Sequence, residues 1–321
     1  MAPAPADLYR EVVVEEIVRE AESVLSFRLR PKSGEDLPSW DPGAHIALRL
    51  PSSLIRQYSL CGRIDDRSTL TIAVLREPAS RGGSAYLHDG ITVGDVLDIG
   101  EIRNNFPLVG APEYVFVAGG IGITPLIPMI ERANATGTPW RLVYGGRSRR
   151  SMAYIDHLVQ YGSSVAIRPE DECGLLNFEV DVTAGLREGG VVFACGPEPM
   201  LSALEKHCLK RSVPLHIERF RASEETLVGT GINKPFVCKL ARTGKRIEVT
   251  EDETIVGALE RCGIFPKSDC REGTCGSCET AVLSGGVEHR DALLDENERV
   301  ESKTMMICVS RATTDEIVLD L

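Results

Sequence analysis

The chain of 321 residues has no internal repeat and no long low-complexity tract, which excludes a repeat array or a largely disordered protein. It also has no phosphate-neutralising basic patch, and its formal net charge of −11 argues against a nucleic-acid partner. An acidic chain instead suits a partner with a basic docking face, since complementary fields speed encounter. The start Met-Ala-Pro-Ala-Pro-Ala-Asp lacks a basic-then-apolar signal, so a cytoplasmic location is expected. In that compartment the ten cysteines are expected to be free, catalytic or metal-bound rather than paired. The uncharged run from Tyr114 to Ile130 holds Gly119, Gly120, Gly122, Pro125 and Pro128 and ends at Glu131. It is too broken for a membrane span and reads as strand, turn and helix start.

What is present falls into three regimes, as the length allows. From about Leu8 to Pro107, short β-branched and apolar runs (Val12–Val18, Val24–Leu29, Ala44–Leu50, Thr69–Leu75) are separated by Pro, Gly, Ser and Asp clusters. This spacing predicts an all-β barrel or sandwich. From about Ala111 to Arg219, strand-like runs (Tyr114–Ala118, Trp140–Tyr144, Val191–Ala194) alternate with helical stretches (Ile127–Ala135, Tyr154–Gln160, Glu198–Lys210). That alternation predicts βαβ units on a parallel sheet. Residues 221–234 show no periodicity and read as a linker. The last block predicts strands at Phe236–Leu240 and Arg246–Val249, a helix near Thr254–Cys262, a cysteine loop and a closing strand near Glu316–Leu321. It holds 17 acidic against 11 basic residues from Pro235 to Leu321, a net of −6, so a quarter of the chain carries over half of the excess charge.

Within that block, Cys270-x4-Cys275-x2-Cys278 followed by Cys308 has the plant-type [2Fe–2S] spacing. Three thiolates on one loop hold much of the cluster and a distant fourth closes it. Gly273 and Gly276 let the loop backbone curl so that N–H groups reach the inorganic sulfides. Zinc sites pair two short Cys-x2-4-Cys knuckles, and here there is one close pair plus an offset cysteine. The other six cysteines (Cys61, Cys173, Cys195, Cys208, Cys238, Cys262) form no ligand spacing and are expected to be buried, inert thiols, Cys195 excepted.

A one-electron centre needs an electron source. Arg56-Gln57-Tyr58-Ser59, at the end of a predicted strand, supplies a guanidinium for phosphate, a ring for an isoalloxazine and a hydroxyl for its edge. Arg81-Gly82-Gly83-Ser84 supplies a glycine turn expected to open a helix toward an anion. Ala118 to Pro125 (Ala-Gly-Gly-Ile-Gly-Ile-Thr-Pro) links an apolar strand to a helix, with glycines that let backbone approach a pyrophosphate. It is not a Gly-x-Gly-x-x-Gly fingerprint, so a simple dehydrogenase is not indicated. Cys195-Gly196-Pro197 follows another strand, at the carboxyl edge where open α/β folds bind ligands.

With these motifs in this order, nearly the whole chain resembles the phthalate dioxygenase reductase family, within the wider ferredoxin–NADP reductase superfamily. The resemblance implies a multidomain fold: an antiparallel β-barrel flavin domain at 1–109, an α/β parallel-sheet nucleotide domain at 110–226 and an α+β β-grasp plant-type ferredoxin domain at 227–321. It implies FMN bound by Arg56, Gln57, Tyr58, Ser59, Arg81, Gly82, Gly83 and Ser84, with Ala73 and Val74 lining the ring and Phe220 packing near it. NADH would contact Gly120, Thr124, Arg147, Cys195, Gly196 and Pro197, and Cys270, Cys275, Cys278 and Cys308 would hold the cluster. Two departures stand out. Leu75-Arg76 follows Val74 where relatives place Lys, and the basic run from Arg147 to Arg150 leaves NADPH open beside NADH.

Ser59 and Cys195 are the candidate catalytic residues, beside the flavin edge and the nicotinamide. The chain has no Cys-x-His pair of the Rieske kind and no two-His-one-carboxylate cluster, so a separate oxygenase must accept the electrons. The expected partner of this monomer is a Rieske non-haem iron oxygenase of aromatic catabolism, acting on an aromatic acid or by O-demethylation. A cytochrome P450 and a non-enzymatic carrier role are the alternatives.

Overall fold

The structure, a computed structural model, describes residues 9–51, 54–78, 80, 82–221 and 233–321. The chain divides into two compact units, Met1–Glu218 and Arg219–Leu321.

The first unit begins with six antiparallel strands: β1 (Arg10–Ala21), β2 (Val24–Pro31), β3 (Ala44–Leu50), β4 (Leu54–Ser59), β5 (Leu70–Leu75) and β6 (Val96–Asn104). They pair in the order β4-β3-β6-β1-β2-β5, and a bridge from Leu60 to Ile72 joins the two ends into a barrel. Phe27, Leu29, Ile46, Leu48, Ile72, Val74 and Leu97 fill it. The Arg56 motif closes β4, the strand end expected of it, whereas β6 escapes the sequence pattern, broken up by Asp98, Gly100, Glu101 and Arg103 between its inward residues.

Five parallel strands follow: β7 (Tyr114–Gly119), β8 (Trp140–Gly146), β9 (Val165–Pro169), β10 (Val191–Cys195) and β11 (Leu215–Glu218), in the order β11-β10-β7-β8-β9. β7 is buried along its whole length, as a central parallel strand must be. Helix Leu126–Thr136 lies on one face, in a core shared with Val24, Cys61 and Ala73 of the barrel; helix Glu198–Arg211 covers the other. The chain order reverses between β7 and β10, so the ligand crevice of the sheet lies at their carboxyl ends.

In the second unit β12 (Phe236–Leu240), β13 (Arg246–Val249), β14 (Glu279–Ser284), β16 (Thr304–Met306) and β18 (Glu316–Leu319) form a mixed sheet, order β13-β12-β18-β14-β16, with β12 and β18 parallel. β15 (Val287–Glu288) and β17 (Arg311–Ala312) pair separately. Helix Ile255–Arg261, capped by Thr254 on the Gly257 N–H, buries Ile255, Val256, Ala258 and Leu259. The fold is thus multidomain: an antiparallel barrel, a parallel α/β sheet and an α+β β-grasp. The expected linker falls largely on 222–232, outside the described residues. Among the described residues no helix is long and apolar enough to cross a membrane.

Candidate functional site

Three sets of residues converge in the first unit. β4 lays Arg56 across the turn that opens helix Gly83–Asp89: a Cβ on Gly83 would meet Arg56 Cγ at 2.8 Å and Nε at 3.2 Å. The fold therefore joins two motifs that lie some 26 positions apart. Gly82 has φ 96°, a conformation that suits glycine alone. Ser84 is occupied internally, its Oγ accepting from the Glu77 N–H at 3.2 Å. Arg81 lies outside the described residues. Burial pushes the Tyr58 phenol up, so it stays neutral, and the buried Gln57 Nε2 finds no hydrogen-bond partner among the described residues. On β4 the Arg56 and Tyr58 side chains share one face and Gln57 takes the other, so a guanidinium and an aromatic ring stand together for a flavin's phosphate and ring, with the orphaned amide donor left to a polar group on the opposite side. Ala73 is buried where barrel and sheet meet. Val74 points instead into the barrel core, leaving its backbone, not its side chain, to line a ligand. Its carbonyl accepts from His88 Nε2 at 2.9 Å.

The glycine turn after β7 and the turn after β10 press backbone against backbone. A Cβ on Gly122 would overlap the Cys195 carbonyl, one on Gly119 would lie 2.6 Å from Pro197 Cδ, and one on Gly196 would lie 3.0 Å from Gly119 Cα. The turn is a short 3-10 segment, Gly120–Ile123, before the helix begins at Leu126. Gly120 has φ 54° and open space above it; its carbonyl accepts from Tyr144 Oη at 3.1 Å. Thr124 is buried and spends its hydroxyl on the Ile121 carbonyl at 3.0 Å, so it shapes the turn. Arg147 is exposed, whereas Arg149 pairs with Glu172 at 2.9 Å.

Ser59, at the end of β4, donates to Glu218 Oε2 at 3.2 Å, and Glu218 ends β11 directly beside Cys195 in the parallel register. This contact brings the two candidate catalytic residues to one place through a third that the sequence did not reveal. A lone Glu closing a four-residue strand has no motif; only its register opposite Cys195 marks it. Burial raises the Glu218 carboxyl to about 8, so it holds its proton at neutral pH. Burial, then the Glu218 charge, raises the Cys195 thiol well above its ordinary value, which rules it out as a thiolate nucleophile. Phe220, the last aromatic before the linker, is 39% exposed.

In the second unit, Cys270, Cys275 and Cys278 share the loop before β14, and Cys308 follows β16. Left-handed backbone at Arg271, Gly273 and Gly276 (φ 56°, 70° and 72°) winds the loop. Hydrogen bonds to Cys275 and Cys308 hold the Cys270 thiol far below the usual range, and Cys278 is lowered by one to Cys308. Cys270 thus neighbours both Cys275 and Cys308, and Cys308 neighbours Cys278, which draws the distant fourth thiol to the loop. Among the described residues no three His, Cys, Asp or Glu side chains gather closely enough to hold a single metal ion. Four sulfur donors, three on one loop at the Cys-x4-Cys-x2-Cys spacing and the fourth from another segment, fit a two-iron cluster. Of the other cysteines, Cys61, Cys195, Cys208 and Cys238 are buried as expected, but Cys173 and Cys262 are exposed, each at the end of a short helix.

The 2Fe-2S iron-sulfur cluster binding domain family matches residues 238–313, which include all four thiols. Over 303 residues the chain is 43% identical to phenoxybenzoate dioxygenase subunit beta of Ectopseudomonas oleovorans, covering 94% of each chain. It is 36% identical to the phthalate 4,5-dioxygenase oxygenase reductase subunit of Pseudomonas putida, covering 94% of this chain and 93% of that one. Among solved structures, phthalate dioxygenase reductase superposes with a TM-score of 0.72 at 32% identity, covering 98% of both chains. An intact type IV self-sufficient cytochrome P450 monooxygenase superposes at 0.88 and 40% identity, over 98% of this chain and 41% of that one.

Proposed function

This chain belongs to the phthalate dioxygenase reductase family, and on that footing we propose that it passes electrons from NADH through FMN and a [2Fe–2S] cluster to a separate Rieske non-haem iron oxygenase. The observation that carries the reading is the Ser59–Glu218 hydrogen bond, which seats the end of the Arg-x-Tyr-Ser strand against the ligand edge of the parallel sheet. Flavin, when bound, supplies the conversion of a hydride into single electrons, and the cluster supplies their release.

Arg56 and the Gly82–Ser84 turn hold the flavin phosphate, and Tyr58 flanks the ring. Gly120, Gly196 and Pro197 bring backbone to the dinucleotide, with Arg147 in solvent near its adenosine end. Cys195 packs as a neutral thiol beside the nicotinamide. Ser59 and Glu218 keep a proton and no net charge beside the reacting face at pH 7. Arg149 is committed to Glu172, which supports NADH over NADPH. Cys270, Cys275, Cys278 and Cys308 hold the cluster.

We divide the chain accordingly into 1–109, 110–226 and 227–321, place it in the cytoplasm as a monomer, and read the oxygenase as one acting on aromatic acids or by O-demethylation. The phenoxybenzoate and phthalate relatives support that substrate class. The superposition on a P450 chain favours a second acceptor, a cytochrome P450. In an anaerobic NADH titration, flavin and cluster absorbance must both bleach; failure of either overturns the reading. Oxidation of the reduced protein by a purified Rieske oxygenase or by a P450 separates the two acceptors.

A further inference from the structure

The segment from Glu288 to Ala292 supplies none of the four thiols, yet it is clamped between the stretches that do. On one side the Ala292 N–H donates to the Gly273 carbonyl at 2.9 Å, and a Cβ on Gly273 would come within 3.0 Å of Asp291 Cα. On the other the Arg290 N–H donates to Ser310 Oγ at 3.1 Å, two residues beyond Cys308. Inside this clamp His289 and Asp291 face each other, Nδ1 to Oδ2, at 3.8 Å, with side chains 6% and 0% exposed. Neither of the two facing atoms has a hydrogen-bond partner among the described residues. Their far sides are fixed: His289 Nε2 lies 3.2 Å from Ser302 Oγ, and Asp291 Oδ1 accepts from the Leu293 and Leu294 N–H groups at 3.0 and 2.8 Å.

Two unpartnered polar atoms buried face to face await one proton. Placed on Nδ1, it converts the gap into a charge-assisted hydrogen bond after a small ring rotation. His289 is also the sole histidine in the sequence from Arg219 to Leu321, hence the one side chain there that ordinarily titrates near neutrality. We propose that the His289–Asp291 pair is a proton-binding site coupled to the cluster, His289 taking one proton from solvent as the cluster takes one electron originating from NADH. This rests on the reading of Cys270, Cys275, Cys278 and Cys308 as its ligands.

The charges that face His289 are Asp291, which favours its protonation, and Arg299, which opposes it while donating to the Asp291 and Leu294 carbonyls. Arg290 is neutralised by Glu288 at 3.0 Å. Burial outweighs Asp291 and lowers the His289 pKa below its ordinary value, so the ring is neutral at pH 7 while the cluster is oxidised. Reduction adds a negative charge nearby and raises that pKa. Protons taken up with the electron make reduction easier as pH falls, and the dependence vanishes at alkaline pH.

The test is a set of EPR-monitored redox titrations of the intact protein between about pH 5 and 9. The wild-type midpoint is expected to be flat at high pH and, below neutrality, to rise toward a tenfold gain per pH unit, about 59 mV for one electron. H289Q should be flat throughout, and D291N should move the slope to lower pH. A flat wild-type profile, or a slope that H289Q retains, overturns the proposal. If H289Q fails to load its cluster, the D291N shift decides. Absence of any reduced-cluster signal in the wild type would instead remove the cluster reading.

Discussion

The nucleotide turns and the cysteine loop both bring backbone up to a cofactor, and they do it by opposite means. Around Gly119, Gly122 and Gly196 the approach depends on side chains being absent, since Pro197, Met200 and the Cys195 backbone fill the space that a Cβ would need. Around Cys270 to Cys278 it depends on side chains being present, with left-handed residues winding the loop that carries three of the four thiols. The first site is made by packing and tolerates no added atom. The second is made by donors and tolerates no lost one.

The contrast can be broken at either end. Cys278→Ala should have the largest effect, an essentially complete loss of iron and of cluster absorbance with flavin content unchanged, because metal binding at such sites is coupled to folding. Iron that stays bound would mean that the loop, not its sulfurs, holds the cluster. Next comes Gly122→Ala, which forces a Cβ into the Cys195 carbonyl. Overpacking of about 1–3 kcal/mol should weaken NADH binding by roughly 5- to 150-fold, with flavin retained. An unchanged NADH dissociation constant, measured by anaerobic titration, would show that the two turns can part.

Glu218 sits where barrel and sheet meet and should act through charge. Its carboxyl is neutral below about 8 and ionises above it. A new anion beside the flavin disfavours the electron-rich reduced ring, so NADH-driven flavin reduction should slow as pH rises through that value. In Glu218→Gln the inflection should disappear from the stopped-flow profile; its persistence would assign the ionisation elsewhere. The smallest effect is expected for Arg149→Ala. The exposed Arg149–Glu172 pair contributes at most about 1 kcal/mol, so the NADH-to-NADPH preference should move less than about fivefold. A larger change would put Arg149 on the nucleotide.

The two regions also differed in how far the sequence revealed them. Cysteine spacing is a statement about chemistry and survives without neighbours, so the cluster loop could be read directly. Glycine turns state only that something comes close. That Gly122 answers to Cys195, and Gly83 to Arg56, needs the strand order and the barrel closure at Leu60–Ile72. β6 was missed because its charged and polar residues interrupt the apolar alternation that marks a strand. Glu218 was missed because its role comes from register across β10 and β11, and no short motif encodes register.

The exposed thiols have a practical consequence. Cys173 lies in the unit that ends at Glu218 and Cys262 in the one that follows, and both are open to solvent while the remaining non-ligand cysteines are buried. A maleimide reagent offered to the cluster-loaded protein should therefore attach one dye to each half. Energy transfer between the two dyes would then measure, during turnover, the distance between the two units.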